Sequence, residues 1–327
     1  MFDRLIDHTV EVFFVLLNTP VNMGEKFYVV YLATFVALAF VSYRLYHKQA
    51  PVRGFLAFLF PKKIYLHKSA RIDYGIYLIN LLISPLLLVG ASVQTLVSVG
   101  IGQALLDMNG GSAVYVGEWS VTTYVCFIIG FTLAADFSVY VIHRLHHQSD
   151  ILWPLHELHH SAEVMTPVTL FRKHPLWNIT ANVTSLAFTG LFQGLFLFVF
   201  YGVPSVEVLF GINTVYVLYN FFGANLRHSH VWLSWGKPLS YIFISPAMHQ
   251  IHHDPQRMRK NYGEVFAIWD YLFGTLYIPD AKENFTIGLG HDVVNPHQTL
   301  WQAYVAPVTR SLTALARRVG RARASAD

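Results

Sequence analysis

The sequence is poor in charged residues, which make up 13% of its 327 positions, whereas soluble domains have about one quarter. Hydrophobic residues make up 54%, and the mean hydropathy is +0.41. Such a chain cannot cover its apolar surface in water, so the composition excludes a soluble domain and predicts an integral membrane protein. Nucleic acid is not an expected partner, because no basic run is interleaved with base-stacking aromatic residues.

Cysteine is almost absent as well. The single cysteine, Cys126, lies in an apolar run, so an intramolecular disulfide is excluded. The N-terminus lacks the features of a signal peptide, since Asp3, Asp7 and Glu11 stand where a basic region belongs and no small-residue cleavage site follows. We therefore expect residues 1–20 to remain as a short interfacial or half-embedded helix.

Long apolar runs are abundant, and a membrane-spanning helix needs about 20 mostly apolar residues. The candidates are residues 27–46, 76–99, 121–142 and 178–226, and the last run is long enough for two spans joined by a turn at 201–205. The sequence thus predicts an all-α integral membrane protein with about five transmembrane helices, arranged as helical hairpins.

Basic residues are distributed unevenly between the loops. The segment 47–75 carries six Lys or Arg residues, whereas 100–120 carries none. The positive-inside rule makes the first loop cytoplasmic. The span 121–142 then delivers residue 143 to the cytoplasmic side, and the hairpin 178–226 leaves that side and returns to it. The segments that follow these two runs should meet in a cytoplasmic helical cap.

Both of those segments are rich in histidine. Their motifs "HRLHH", "HELHH" and "HQIHH" space the imidazoles at three or four residues, which places them together on a helical face. Ser245 and Pro246 indicate that a helix starts just before the third motif. Eight imidazoles without a usable cysteine predict two metal ions rather than one structural zinc, and zinc, copper, nickel and iron all fit imidazole. The eight are His143, His147, His156, His159, His160, His249, His252 and His253.

The three motifs resemble the histidine boxes of the fatty acid hydroxylase/sterol desaturase superfamily. The surrounding stretches "DFSVYVIHRLHH", "LWPLHELHHSAE" and "NYGEVFAIWDYLFGT" strengthen the resemblance, which covers about 120–280. It implies a non-haem di-iron centre that uses dioxygen to hydroxylate or dehydrogenate a membrane lipid. Because the chain has no cytochrome b5-like "HPGG" haem motif, electrons are expected from a separate cytochrome b5-like protein, ferredoxin or reductase.

The resemblance also implies further metal ligands. His174, in "FRKHP", precedes the apolar hairpin at a position where relatives often have a ligand histidine. In "RHSH", one histidine of the pair His228 and His230 is expected to be a ligand, and His228 is slightly favoured. His146 points away from the face of the other two histidines of its motif and is interpreted as structural.

Asp136 and Tyr140 share a helical stripe with His143 and His147. A carboxylate inside a membrane span is a functional hypothesis by default. The predicted role of Asp136 is to accept a hydrogen bond from a ligand histidine and so fix its tautomer. A purely structural pairing, for example with Arg144, is the alternative.

The sequence predicts three regions: an N-terminal membrane region (1–119), a catalytic domain (120–280) and a cytoplasmic C-terminal tail (281–327). A lipid hydroxylase is preferred over a desaturase of the same class. A transition-metal transporter or sensor is the alternative from another class, although its ligands would belong near the bilayer midplane. Sterol, fatty acyl, sphingoid, ether-lipid, carotenoid and aminolipid substrates all fit. The expected location is the inner or plasma membrane of a bacterium or the endoplasmic reticulum of a eukaryote, and the oligomeric state is not predicted.

Overall fold

The structure is a computed structural model that describes residues 26–83, 92–115, 120–200, 214–215 and 217–324. All regular elements within these ranges are helical, as predicted, and residues 217–221 are helical besides the labelled elements. The α-helices are α1 (Val29–Tyr46), α2 (Phe55–Leu59), α3 (Lys62–Tyr65), α4 (Lys68–Ile83), α5 (Ser92–Met108), α6 (Val121–Gln148), α7 (Trp153–His160), α8 (Pro175–Val199), α9 (Lys237–Ser240), α10 (Pro246–His252), α11 (Ile268–Leu272) and α12 (Leu300–Ala324). Short 3-10 helices occur at Val52–Gly54, Pro167–Phe171 and Ala224–Leu226.

Three of the described helices, α1, α6 and α8, are long and apolar enough to cross a membrane. They coincide with the predicted spans 27–46 and 121–142 and with the first half of 178–226. The predicted N-terminal helix (1–20) and the turn at 201–205 lie outside the described residues. The count of about five crossings stays a prediction.

The predicted second span, 76–99, is described only in part, and the loop predicted after it differs from the expectation. Residues 76–83 end α4 and residues 92–99 begin α5, while 84–91 between them lie outside the described residues. Helix α5 continues to Met108, so the first nine residues of the predicted loop 100–120 are helical. The helix ends where Gly110 and Gly111 adopt positive φ angles of 69° and 83°, a conformation that glycine accepts without steric penalty.

Helix α8 packs between α5 and α6. Its contact with α5 depends on two glycines one turn apart. A Cβ atom at Gly190 would lie 2.9 Å from the carbonyl oxygen of Gln94, and one at Gly194 would lie 2.7 Å from that of Ser98. Only glycine therefore allows the two backbones to approach this closely.

The three histidine motifs lie on three different helices. The first lies on the C-terminal end of α6, which continues one residue beyond the motif, to Gln148. The second occupies α7, with Pro154 in its first turn. The third lies on α10, where the Ser245 side chain accepts a hydrogen bond from Met248 N and Pro246 begins the helix. The predicted start of α10 is confirmed.

Helix α12, from the predicted C-terminal tail, packs against α7 and α4. Its Ala303 joins a small buried cluster with Leu158 of α7 and with Ile72 and Ile76 of α4. The tail is thus largely a helix that packs on the element carrying the second histidine motif.

Candidate metal centre

The structure brings nine buried histidines together in two groups, and within each group the candidate ligand atoms lie within 4.8 Å of one another. The two groups adjoin, since the ring centroids of His160 and His253 are 4.5 Å apart. The two histidine-rich segments, about a hundred residues apart in the chain, therefore meet, as predicted. The five-histidine group is His143, His147, His156, His160 and His252, and the four-histidine group is His159, His228, His249 and His253.

Two of the motifs divide their histidines between the groups. His156 and His160 belong to the five-histidine group, whereas His159 belongs to the other. Because successive helical residues differ by about 100° in direction, neighbours such as 159 and 160 point to different sides, while residues four apart stay together. The third motif does the same, with His252 in one group and its two companions in the other. Helices α7 and α10 thus connect the two groups.

The distances between ring nitrogens suit ligands of a shared ion. In the five-histidine group the Nε2 atoms of His143 and His252 are 3.0 Å apart. In the four-histidine group, Nε2 of His228 lies 3.0 Å from that of His159 and 2.9 Å from that of His249. Two nitrogens bound at right angles, each about 2.1 Å from one ion, would be about 3 Å apart.

Most of these rings also have a buried nitrogen without a hydrogen-bond partner among the described residues. The side chains of all nine histidines are at most 8% exposed. Seven of the nine have a buried ring nitrogen without a hydrogen-bond partner in the described part of the chain, and both nitrogens of His253 lack one. In five of the seven that atom is Nδ1, and Nε2 of the same ring faces only Nε2 of another imidazole. Nε2 lone pairs that face each other are destabilising, so an ion bound between them would supply the partner that they lack. The nine residues therefore fit two metal ions. An all-imidazole set suits zinc, copper, nickel or iron.

Burial keeps these imidazoles neutral, which is the form that binds metal. For the seven that lie outside the membrane-spanning helices, loss of hydration lowers the pKa below its usual value. The neighbouring imidazoles lower the pKa further for His156, His159 and His160, for example. The pKa of His252 falls to about 4, because burial outweighs its hydrogen bond to Lys260.

Two backbone carbonyls orient one histidine each from the first and third motifs. His143 Nδ1 lies 2.8 Å from Tyr262 O, and His252 Nδ1 lies 2.7 Å from Lys260 O. Because a carbonyl can only accept, each Nδ1 carries the proton and each Nε2 keeps its lone pair for a metal. Between the two carbonyls, Asn261 has a φ of 57°, a conformation that asparagine tolerates better than most residues. This role of Asn261 was not predicted from the "NYG" motif.

The role predicted for Asp136 requires a correction. Its carboxylate accepts hydrogen bonds from the backbone N–H of Val265 and Phe266 and from Trp269 Nε1, at 2.9, 3.2 and 2.8 Å. No ligand histidine donates to it within the described residues. Asp136 instead fastens the segment 261–275 to α6, and that segment supplies the carbonyl that orients His143.

Tyr140, one turn after Asp136 on α6, also contacts the segment 261–275. Its hydroxyl accepts a hydrogen bond from Arg144 Nη1 at 2.8 Å and lies 3.2 Å from Thr275 Oγ1. Asp270, which the sequence analysis did not select, accepts hydrogen bonds from the backbone N–H of Tyr262 and from Thr275 Oγ1. Tyr140 therefore helps to hold the segment that covers the centre.

His174 and His230, both candidate ligands from the sequence, lie outside both groups, and so does His146. His174 caps α8 by accepting from Leu176 N, and its Nε2 lies 3.1 Å from Tyr304 O. His230 Nε2 lies 2.7 Å from Phe58 O, so of the pair in "RHSH" only His228 joins a group. His146, interpreted as structural, bonds to Ile142 O and Thr180 Oγ1.

A buried ion pair that was not predicted from the sequence supports α7. Arg172 is fully buried, and its Nη1 lies 2.7 Å from Asp73 Oδ1 of α4. Its Nε donates to Leu158 O at 2.8 Å, and its Nη2 donates to Ser161 Oγ at 2.9 Å. Arg172 thereby holds the C-terminal end of the helix that carries the second motif.

Two cavities lie near the centre, and the smaller of them is lined by its histidines. A cavity of about 460 Å³ is lined almost wholly by apolar side chains, among them Leu218 and Phe222, which are 49% and 60% exposed. A smaller cavity of about 40 Å³ lies against histidines of both groups. Tyr219, Ala224 and Arg227 line both cavities. The larger cavity therefore adjoins the histidine-lined one at these three residues.

Comparisons with known proteins agree with this geometry. The chain is 32% identical to human alkylglycerol monooxygenase over 163 residues, which are 49% of this chain and 32% of that protein. It is 28% identical to the ornithine lipid hydroxylase of Rhizobium tropici over 177 residues, 53% of this chain and 47% of the relative. It is 28% identical to the Delta(7)-sterol 5(6)-desaturase of Eremothecium gossypii over 216 residues, 62% of this chain and 52% of the relative.

The chain thus spans about a third to a half of the length of these curated relatives. No solved structure gives a significant match. The sequence model of the fatty acid hydroxylase family matches residues 128–275, which include all three histidine motifs and the segment 261–275. This match agrees with the resemblance expected over about 120–280. Residues 128–275, just under half of this chain, thus match a fatty acid hydroxylase domain.

Proposed function

We propose that this protein is a membrane-bound, non-haem di-iron enzyme that uses dioxygen to hydroxylate a C–H bond of a lipid. The observation that carries the proposal is the pair of adjoining groups with nine buried, neutral imidazoles inside a fatty acid hydroxylase domain. A metal transporter would place its ligands near the bilayer midplane, whereas these groups adjoin the end of α6.

The nine histidines would hold two iron ions, one in each group. Bound iron would supply the activation of dioxygen and the cleavage of the C–H bond. The contribution of the chain is to fix the ligands and to exclude water. The carbonyls of Lys260 and Tyr262 set the tautomers of two ligands, and burial keeps the site dry.

The substrate would be a lipid whose apolar chain lies in the 460 Å³ cavity. The exposed Leu218 and Phe222 at this cavity give it an apolar opening suited to the bilayer. Two of the three relatives named above are a monooxygenase and a hydroxylase, which favours hydroxylation. Desaturation is the second candidate, because the third relative is a sterol desaturase.

Mass spectrometry of membrane lipids tests this proposal. Extracts of cells that express the intact protein should contain a lipid 16 mass units heavier than in cells that express a variant without the first histidine motif. A loss of two mass units would indicate desaturation. Identical lipid profiles, together with uptake of a transition metal by the reconstituted protein, would contradict the proposal and favour a transporter.

We further propose that a separate, acidic electron carrier docks beside α12. This helix carries five arginines and no acidic residue. Exposed Arg317, Arg318 and Arg321 line a surface groove of about 730 Å³ together with Trp153. The ring of Trp153 lies 5.0 Å from that of His147 and 5.6 Å from that of His160, which gives a short path to the five-histidine group.

Replacing these three arginines with glutamate should slow turnover when an acidic carrier such as a ferredoxin or a cytochrome b5 supplies the electrons. We expect the carrier concentration for half-maximal rate to rise about tenfold or more, because electrostatic attraction speeds such encounters. Steady-state turnover at low and high salt measures this effect. Turnover with a chemical reductant should be unchanged.

A matched control reverses three basic residues of the 47–75 loop, Arg53, Lys62 and Lys63, which are exposed but do not line this groove. This variant should keep the carrier dependence of the original protein. If the three-arginine variant lost turnover equally with the carrier and with the chemical reductant, docking at α12 would be contradicted. Such a result would indicate damage to the centre itself.

A further inference from the structure

Arg227 is a buried arginine with an unused hydrogen-bond donor beside the centre. It precedes the ligand candidate His228 and is only 4% exposed. Its Nη2 has no hydrogen-bond partner in the part of the chain that the structure describes. Its guanidinium faces the ring of Tyr219, with 5.1 Å between Cζ and the ring centroid. A buried guanidinium without an acceptor is strongly destabilising unless an anion compensates it.

The positive charge around Arg227 exceeds the negative charge. Lys26 and Lys173 line the same 40 Å³ cavity, and Glu264 is the one carboxylate among its described lining residues. Burial alone would raise the pKa of Glu264, but the charges of Lys26, Lys173 and Arg227 hold it below its usual value. Neither Lys173 nor Arg227 forms an ion pair within 4 Å in the described ranges. Even with Lys26 set aside, Lys173 and Arg227 outnumber Glu264 among the lining residues, so a net positive charge is left for a ligand.

Arg227 also lies where the two cavities meet. It lines the apolar cavity on one side and the histidine-lined cavity on the other. An amphiphile whose chain fills the 460 Å³ cavity would bring its polar end to this arginine. The polar end of the amphiphile and the excess positive charge would therefore lie at the same place.

We propose that Arg227, with Lys173, binds an anionic carboxylate or phosphate group of the lipid substrate next to the metal ligands. The guanidinium can donate two parallel hydrogen bonds to such a group, whereas an alcohol or an ester head would leave the charge uncompensated. With the anion held there, a carbon close to the head group, rather than the end of the chain, faces the histidines. This inference rests on the proposed function for the identity of the ligand as substrate.

Binding can be measured without turnover. Iron-loaded protein is placed in nanodiscs of lipids without net charge and is kept anaerobic and without reductant. A spin-labelled 16-carbon fatty acid reports occupancy of the site, because its electron paramagnetic resonance signal shows an immobilised component when it is bound. Palmitate and hexadecyl phosphate should displace it at concentrations about tenfold to a hundredfold lower than hexadecanol, as a charge-assisted bond to a buried site requires. Inorganic phosphate alone should displace it far less well.

Variants then connect the preference to the arginine. R227Q should bring palmitate and hexadecyl phosphate to the level of hexadecanol, whereas R227K should keep part of the difference. R53Q, an exposed arginine on the 47–75 loop, is the control and should behave like the original protein. Iron content is measured for each variant. If R227Q loses iron, its binding data are set aside, and the head-group preference of the original protein decides whether an anion site is present.

Several results would overturn the inference. Hexadecanol displacing the probe as well as palmitate would refute an anion site, and so would a full preference in iron-loaded R227Q. Inorganic phosphate binding as tightly as the amphiphiles would assign the site to a free anion instead of a lipid head group. Failure of the proposed function is a separate outcome, because the head-group preference would then persist while the lipid masses stayed unchanged.

Discussion

Replacing His252 with alanine is expected to remove lipid oxidation and most of the bound iron together. His252 Nε2 lies 3.0 Å from His143 Nε2, and its Nδ1 is fixed by Lys260 O, so the imidazole is already aimed at a shared ion. Loss of residues that merely orient metal ligands reduces affinity or activity about 10- to 100-fold, and loss of a ligand should exceed that. Iron is measured on purified protein by elemental analysis, and product by the mass shift of 16.

The five-histidine group should lose iron first, because the four-histidine group keeps all of its members. We therefore expect an iron content of about one per chain or less. His156→Ala should give the same result, since its Nε2 lies 3.2 Å from that of His160.

His230→Ala is the matched control for these variants. His230 is partly buried, was also a candidate from the sequence, and lies two residues from His228, yet it bonds to Phe58 O and belongs to neither group. It should retain iron and product formation. A His252→Ala protein with full iron and undiminished product would contradict the ligand assignment, and equal iron loss in both variants would mean that any buried histidine change disrupts the fold.

The sequence predicted much of this centre because the relevant signals are local. Histidines three and four residues apart, Ser245 before Pro246, and an apolar run leading into the first motif each determine a short helix and its direction. The loop charges and the apolar hairpin predicted that the two histidine segments would meet. The geometry of the nine histidines agrees with that prediction.

Other features depend on contacts that no local pattern encodes. The partition of His159 and His160 between two groups depends on how α7 faces the other helices, which the motif alone does not determine. Asp136 was correctly noticed as a carboxylate in an apolar helix, but its partners lie about 130 residues away in the chain. Asp73 and Arg172, 99 residues apart, gave no signal at all because each looks ordinary in its own segment.

The largest effect on stability is expected at the buried ion pair between Arg172 and Asp73. Arg172→Met should destabilise the protein by about 3–5 kcal/mol, because it leaves the Asp73 carboxylate buried without its partner. It also removes the hydrogen bonds to Leu158 O and Ser161 Oγ that hold the end of α7. Thermal unfolding in detergent, followed by circular dichroism, should show a midpoint lower by about 10 °C. Iron content should fall as well, because α7 carries three of the nine histidines.

Two further variants separate the charge from the packing. Arg71→Met removes an exposed arginine from α4, the helix that carries Asp73, and should change the midpoint little. Replacing the pair together, Arg172→Met with Asp73→Leu, leaves no unpaired buried charge and should recover part of the loss. A midpoint within about 1 °C of the original for Arg172→Met would contradict the assigned role. No recovery in the double variant would attribute the effect to the α7 hydrogen bonds rather than to the ion pair.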